Sequence, residues 1–152
     1  MRSLMRLTGF LLLTAALLAG CDDPNAPVEP RLEIVEAWAH TAVMADTGNA
    51  TSAAYMTIRN SGKTPDRLIG AASDFAEFVE LHTTEERNGV MMMAPVKAVD
   101  VPARGEVVLK PGGLHVMFIK IKHGLNVGDK IKLTLEFEKS GTMELEITAR
   151  AP

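Results

Sequence analysis

The chain has 152 residues, 47% hydrophobic and 23% charged, with 16 basic against 19 acidic side chains, one Cys, nine Met and four His. That length fits one ordinary globular domain. A lone Cys cannot close an internal disulfide or supply the thiolates of a structural zinc or iron–sulfur site, and no Lys/Arg cluster marks a nucleic-acid footprint.

In chain order, Met1 to Arg6 carries two Arg and no acid, and Leu7 to Leu18 is an apolar run broken only by Thr8, Gly9 and Thr14. Residues 1–20 therefore read as a secretory signal, with a charged n-region and an h-region too short to span a bilayer. The run ends in Leu18-Ala19-Gly20-Cys21, which resembles the lipobox of bacterial lipoproteins. That resemblance implies cleavage before Cys21 and acylation of its thiol, an anchor that several chains together make stable. Residues 21–31 then form a spacer with Pro24, Pro27 and Pro30, extended and poor in hydrogen bonds. Asp22 after the Cys resembles the signal that keeps enterobacterial lipoproteins in the inner membrane, which implies the periplasmic face of a bacterial envelope. Outside the cytoplasm thiols oxidise and thioethers persist.

Residues 32–150 read as one β domain. Lys130 to Glu138 alternates polar and apolar without an error, Thr142 to Thr148 does the same, and Ser140-Gly141 between them marks a hairpin. Further strands are expected at Ile34–His40, Ala53–Arg59, Arg67–Ala71, Phe78–Thr83, Glu106–Leu109 and Leu114–Ile121, with turn signals at Asn60-Ser61-Gly62, Pro102, Pro111-Gly112-Gly113 and Gly124 to Gly128. The one candidate for a helical turn is Ser73–Phe78. Seven to nine short strands point to an all-β Greek-key sandwich or barrel.

No nucleophile elbow, phosphate loop or His-Glu-x-x-His is present, so the expectation is a binding protein and not an enzyme. What stands out is His82, ten residues, Met93, twenty-one residues, His115, one residue, Met117. This spacing resembles the motif of the periplasmic copper chaperones called PCu(A)C. The likeness extends to Val79-Glu80-Leu81-His82, Met91-Met92-Met93-Ala94-Pro95-Val96, Val101-Pro102-Ala103, Leu109 to Met117 and Leu133 to Phe137. It implies a cupredoxin-like fold and a Cu(I) site formed by His82, Met93, His115 and Met117. It also implies a copper-accepting partner, a cytochrome c oxidase subunit or assembly factor, with the membrane reached through the lipid anchor and no nucleic acid involved.

The residue chemistry agrees. His115 and Met117 are two apart on an expected strand and leave the same face, while His82 is expected at a strand end and Met93 in the glycine-containing connection after it, so that all four meet at one end of the sandwich. Thioether and neutral imidazole suit Cu(I), and four uncharged donors disfavour a divalent ion. The absence of a Cys ligand argues against a blue-copper electron-transfer site. Taken singly, each residue also has a plainer role: His82 as a hydrogen-bonded strand histidine, His115 as a residue beside a turn, Met117 as core packing, and Met91-Met92-Met93 as an apolar contact patch. His40, Met44, Met91 and Met92 are auxiliary metal candidates; Trp38 reads as core or rim, and His123 as a loop residue. Two other functions fit the same sequence: a copper buffer without a dedicated client, and a Met-rich module that binds protein and no metal.

Overall fold

The computed structural model describes residues 29–44 and 48–151, so the expected signal segment, Cys21 and most of the spacer lie outside the described residues. Ten strands form: β1 Leu32–His40, β2 Thr51–Asn60, β3 Asp66–Ala72, β4 Ala76–Arg87, β5 Val90–Pro95, β6 Val99–Val101, β7 Gly105–Leu109, β8 His115–Ile121, β9 Lys130–Phe137 and β10 Gly141–Arg150. Their spatial order is β5-β4-β8-β2-β1-β10-β9-β3-β6, and β7 also pairs with β2. The β1–β10 ladder is parallel and the other strand pairs are antiparallel. Neighbours in space that are distant in sequence are the Greek-key signature, and the all-β expectation holds.

Two strands, β5 and β6, were not expected. β4 does not stop near Thr83 but continues to Arg87, turns through Asn88-Gly89 and returns as β5. Both turn residues have positive φ, 55° and 80°, as a two-residue type I′ hairpin turn requires. Met93 therefore stands on a strand and not in a loop. Val90-Met91-Met92-Met93 carries no polar alternation, so a period-two pattern cannot reveal it. At Ser73–Phe78 there is only a turn at Asp74-Phe75, and the chain is extended again from Ala76.

One face of the sheet forms the core. Ala54, Met56 and Ile58 of β2, Val116 and Phe118 of β8, Leu133, Leu135 and Phe137 of β9, and Ile147 of β10 are all fully or almost fully buried. Phe118 meets Phe75 edge to face with centroids 5.4 Å apart. The opposite face carries the intervening residues, and a bulge in β1 decides what joins it. Ile34 pairs with Ile58 on the inner side, the register shifts between Val35 and Trp38, and Glu36 there has φ of 54°. After that extra residue Ala39 points inward against Ala54, and Trp38 stands outward beside Tyr55.

Asp66 fastens the β9–β10 turn to β3. Its buried carboxylate accepts hydrogen bonds from the backbone amides of Arg67 (2.8 Å), Lys139 (2.9 Å) and Ser140 (2.9 Å) and from Ser140 Oγ (2.6 Å). Burial alone would raise this pKa, but the bonds from Ser140, Arg67 and Lys139 outweigh it and hold the carboxyl below its ordinary value. Asp66→Ala strands several donors and is expected to cost about 3 kcal/mol. Because the folded-state pKa is the lower one, this stabilisation is complete above the unfolded-state pKa of about 3.9 and is lost as pH falls through the folded value. Urea melts should therefore show a wide gap between wild type and variant at pH 7 and a narrower one at pH 3; equal gaps would contradict the assignment.

Candidate metal centre

The proposed donors lie on the outward face, where β4, β5 and β8 adjoin. His82 on β4 is directly opposite His115 on β8, with ring centroids 5.8 Å apart. Residues two apart share a face, so Met117, paired with Glu80, lies diagonal to His82 and next in line after His115. Met117 is half-buried, whereas its neighbours Val116 and Phe118 point the other way and are fully buried. The core role that an isolated Met would suggest is thus excluded by register. On the other flank Met93 pairs with Thr84, which places it diagonal to His82 on the same face.

The structure brings His82, His115 and Met117 together and leaves Met93 apart. In a regular sheet Met93 and Met117 stand about 10 Å apart across two strand spacings and about 14 Å along them. That is farther than two thioethers on one ion can reach. Met93 is 61% exposed, on a hairpin that extends past the start of β8. The donors gather on the outward face of the sheet, where His115 opens β8 and the β4–β8 ladder ends at His82.

Both imidazoles are buried although they face outward, His82 at 9% and His115 at 4% exposure. His115 Nδ1 is 3.0 Å from the Gly113 carbonyl, and His82 Nε2 is 2.8 Å from Glu80 Oε2. A carbonyl and a carboxylate only accept, so these two nitrogens carry the protons. In the neutral rings the lone pairs are then on His115 Nε2 and His82 Nδ1. His82 Nδ1 is buried without a hydrogen-bond partner, the one such side-chain atom among the described residues. A polar atom left this way costs about 1–3 kcal/mol unless something else uses its lone pair. A soft metal ion would do so, and the Glu80–His82 contact is the carboxylate–imidazole arrangement that orients metal-binding histidines. Sequence reasoning passed over Glu80, yet its position two before His82 on an alternating strand was a usable signal.

Aromatic rings line the rest of this face. Tyr55 lies 6.4 Å from His115, Trp38 4.7 Å from Tyr55 and His40 6.3 Å from Trp38, so Trp38 is a rim residue. Burial raises the Tyr55 phenol pKa, which keeps it neutral. His40 turns Nδ1 to the Thr41 carbonyl at 3.0 Å and ends β1, with the two strands β2 and β8 separating it from His82. Met44 is 44% exposed beyond that strand. Met91 pairs with Glu86 and shares the face of Met93, while Met92 pairs with Glu85 on the reverse face. His123 is exposed, its ring against Phe75 at 5.1 Å. Among the described residues no three His, Cys, Asp or Glu side chains form a metal cluster.

The family model described as "Putative lipoprotein LpqE-like" matches residues 32–149. The chain belongs to the LpqE-like family. A relative called "Putative lipoprotein Lxx21020", from Leifsonia xyli subsp. xyli, is 30% identical over 120 residues, which span 78% of this chain and 69% of that protein. Among solved structures, the copper-bound PCuAC domain from PmoF2 is similar at 28% identity and a TM-score of 0.64, covering 80% of this chain and 93% of that domain. The Cu(I) form of DR1885 from Deinococcus radiodurans is similar at 30% identity and a TM-score of 0.51, covering 88% and 82%. The LpqE-like chain therefore has the cupredoxin-like PCuAC fold, the one its His/Met spacing resembles.

Proposed function

We propose that this protein is a copper chaperone of the bacterial envelope, anchored through Cys21, that carries Cu(I) on His82, His115, Met117 and Met93. It releases the ion by ligand exchange to a copper-accepting partner, a cytochrome c oxidase subunit or its assembly factor. The observation that carries this reading is the buried His82–His115 pair with its unpartnered Nδ1 beside a thioether. The copper-bound state of similar domains and the lipoprotein names of its family support it. Thioethers dissociate without a proton, which suits transfer, and no step of catalysis is needed.

Met93 completes the site only when the β4–β5 hairpin bends toward β8. It is accordingly the last donor to bind and the first to leave. Anaerobic titration of Cu(I) against a colorimetric chelator tests the function: one tight site per chain is expected, and no binding above background would refute it. Loss of oxidase activity in a deletion strain, restored by added copper, would mark delivery; copper sensitivity alone would mark buffering.

Glu80→Ala should weaken Cu(I) binding by about 10–100-fold, because the His82 ring loses the partner that fixes its tautomer. Glu80→Gln keeps an acceptor for Nε2–H and should lose much less. Equal affinity in wild type and Glu80→Ala would remove Glu80 from the site.

A further inference from the structure

Met93 is too far from Met117 to share an ion with it while the β4–β5 hairpin is open, but it has a thioether neighbour on its own strand. Met91 and Met93 are two apart on β5 and leave the same face, with Cα atoms about 6.5–7 Å apart. Each Met side chain has three rotatable bonds and a polarizable sulfur, so the pair can close that gap around one ion. Met91 is 58% and Met93 61% exposed, so no packing has to be undone first. Met92, between them, carries the same sulfur on the reverse face.

The hairpin register sets these two sulfurs in line with the histidine pair. Opposite Met91 on β4 is Glu86, opposite Met93 is Thr84 and opposite Pro95 is His82, all on one face. His82 is thus diagonal to Met93, a spacing of about 7–8 Å, and Met91 lies two residues farther out. Soft donors follow one another along the hairpin in steps of about 7–8 Å, from the exposed Met91 through Met93 to the buried His82. Glu86 is exposed and directly opposite Met91, where paired Cβ atoms are about 4.5–5.5 Å apart, so it sets a carboxylate beside an ion held by two uncharged sulfurs. Thioethers favour Cu(I) over hard cations.

We propose that Met91 and Met93 form a second, weaker Cu(I) site at the hairpin tip, where the ion is captured before it reaches His82, His115 and Met117 and through which it leaves again. In the open hairpin the two thioethers hold the ion. As the hairpin bends toward β8, Met93 brings it to the free lone pair of His82 Nδ1 and Met91 lets go. The exchange breaks one copper–sulfur bond and forms one copper–nitrogen bond, with no electron or proton moved. Met91 is about 13 Å along the strands from the level of His82, too far to remain a donor in the inner site. The route rests on the copper reading given above; capture at the tip needs only the two thioethers.

Stopped-flow transfer of Cu(I) between the protein and a coloured chelator, run anaerobically in both directions, reads the route. Met91→Leu removes one sulfur at an exposed position and should slow loading and release alike, each at least fivefold, so that the equilibrium affinity, which is their ratio, changes far less. Met92→Leu, on the reverse face, should exchange at the wild-type rate. The tip site is seen directly by titrating Cu(I) into a His115→Ala, Met117→Ala variant with ¹³C-labelled Met methyl groups: the methyls of Met91 and Met93 should shift together and that of Met92 should stay. The exchange rates decide alone if that double variant folds poorly. Wild-type exchange in Met91→Leu, equal slowing in Met92→Leu, methyl shifts that leave out Met91, or an affinity loss in Met91→Leu as large as the slowing of loading would overturn the proposal. Shifts at Met91 and Met93 without any tight site in the wild-type chelator titration would leave the tip site standing and overturn the chaperone reading instead.

Discussion

Replacing His115 or Met117 by alanine is expected to weaken Cu(I) binding more than about a hundredfold, beyond the 10–100-fold that follows loss of an outer-shell partner. His115 Nδ1 is held by the Gly113 carbonyl, which leaves the lone pair of the neutral ring on Nε2, and Met117 is the thioether nearest to the histidine pair in strand register. Neither side chain belongs to the apolar core, so thermal melts of the metal-free Met117→Ala variant should lie close to wild type. Competition titrations read the affinity and melts read the fold. Unchanged affinity in both variants would contradict the donor assignment.

Phe118→Ala should do the reverse, although it is the very next residue. Phe118 is fully buried on the opposite face and meets Phe75 at 5.4 Å, so truncation removes apolar burial, leaves a cavity and breaks an edge-to-face pair. The expected loss is about 3–5 kcal/mol. In a domain of this size that lowers Tm by about 10–20 °C. Below the transition, Cu(I) affinity should remain within a few-fold of wild type. A small change in Tm would mean that the two faces of β8 have been exchanged, and with them the whole site.

Much of this division was readable from the sequence because a strand has period two. The nearly error-free alternation in Lys130–Phe137 and Gly141–Arg150 located β9 and β10 to within a residue or two. The pair His115 and Met117 announced a shared face for the same reason. The β5 strand was hidden, since Val90 to Met93 are apolar throughout and exposed on an overhanging edge, where no core selects alternate positions. Asn88-Gly89 was the local signal for that hairpin. The re-aiming of Trp38 was also out of reach: the bulge at Glu36 adds one residue and reverses the faces of the rest of β1, and nothing in Glu36-Ala37 advertises it. The spacing His82 to Met93 gave a set of donors but not their distances, which depend on where the hairpin register puts Met93.

The donor set itself is tested most directly by X-ray absorption at the copper edge of the Cu(I)-loaded protein. The site described here predicts both imidazole nitrogen and thioether sulfur around one copper, with the sulfur contribution lost in a Met93→Ala, Met117→Ala double variant. A spectrum of the wild-type protein with nitrogen or oxygen neighbours alone would contradict it.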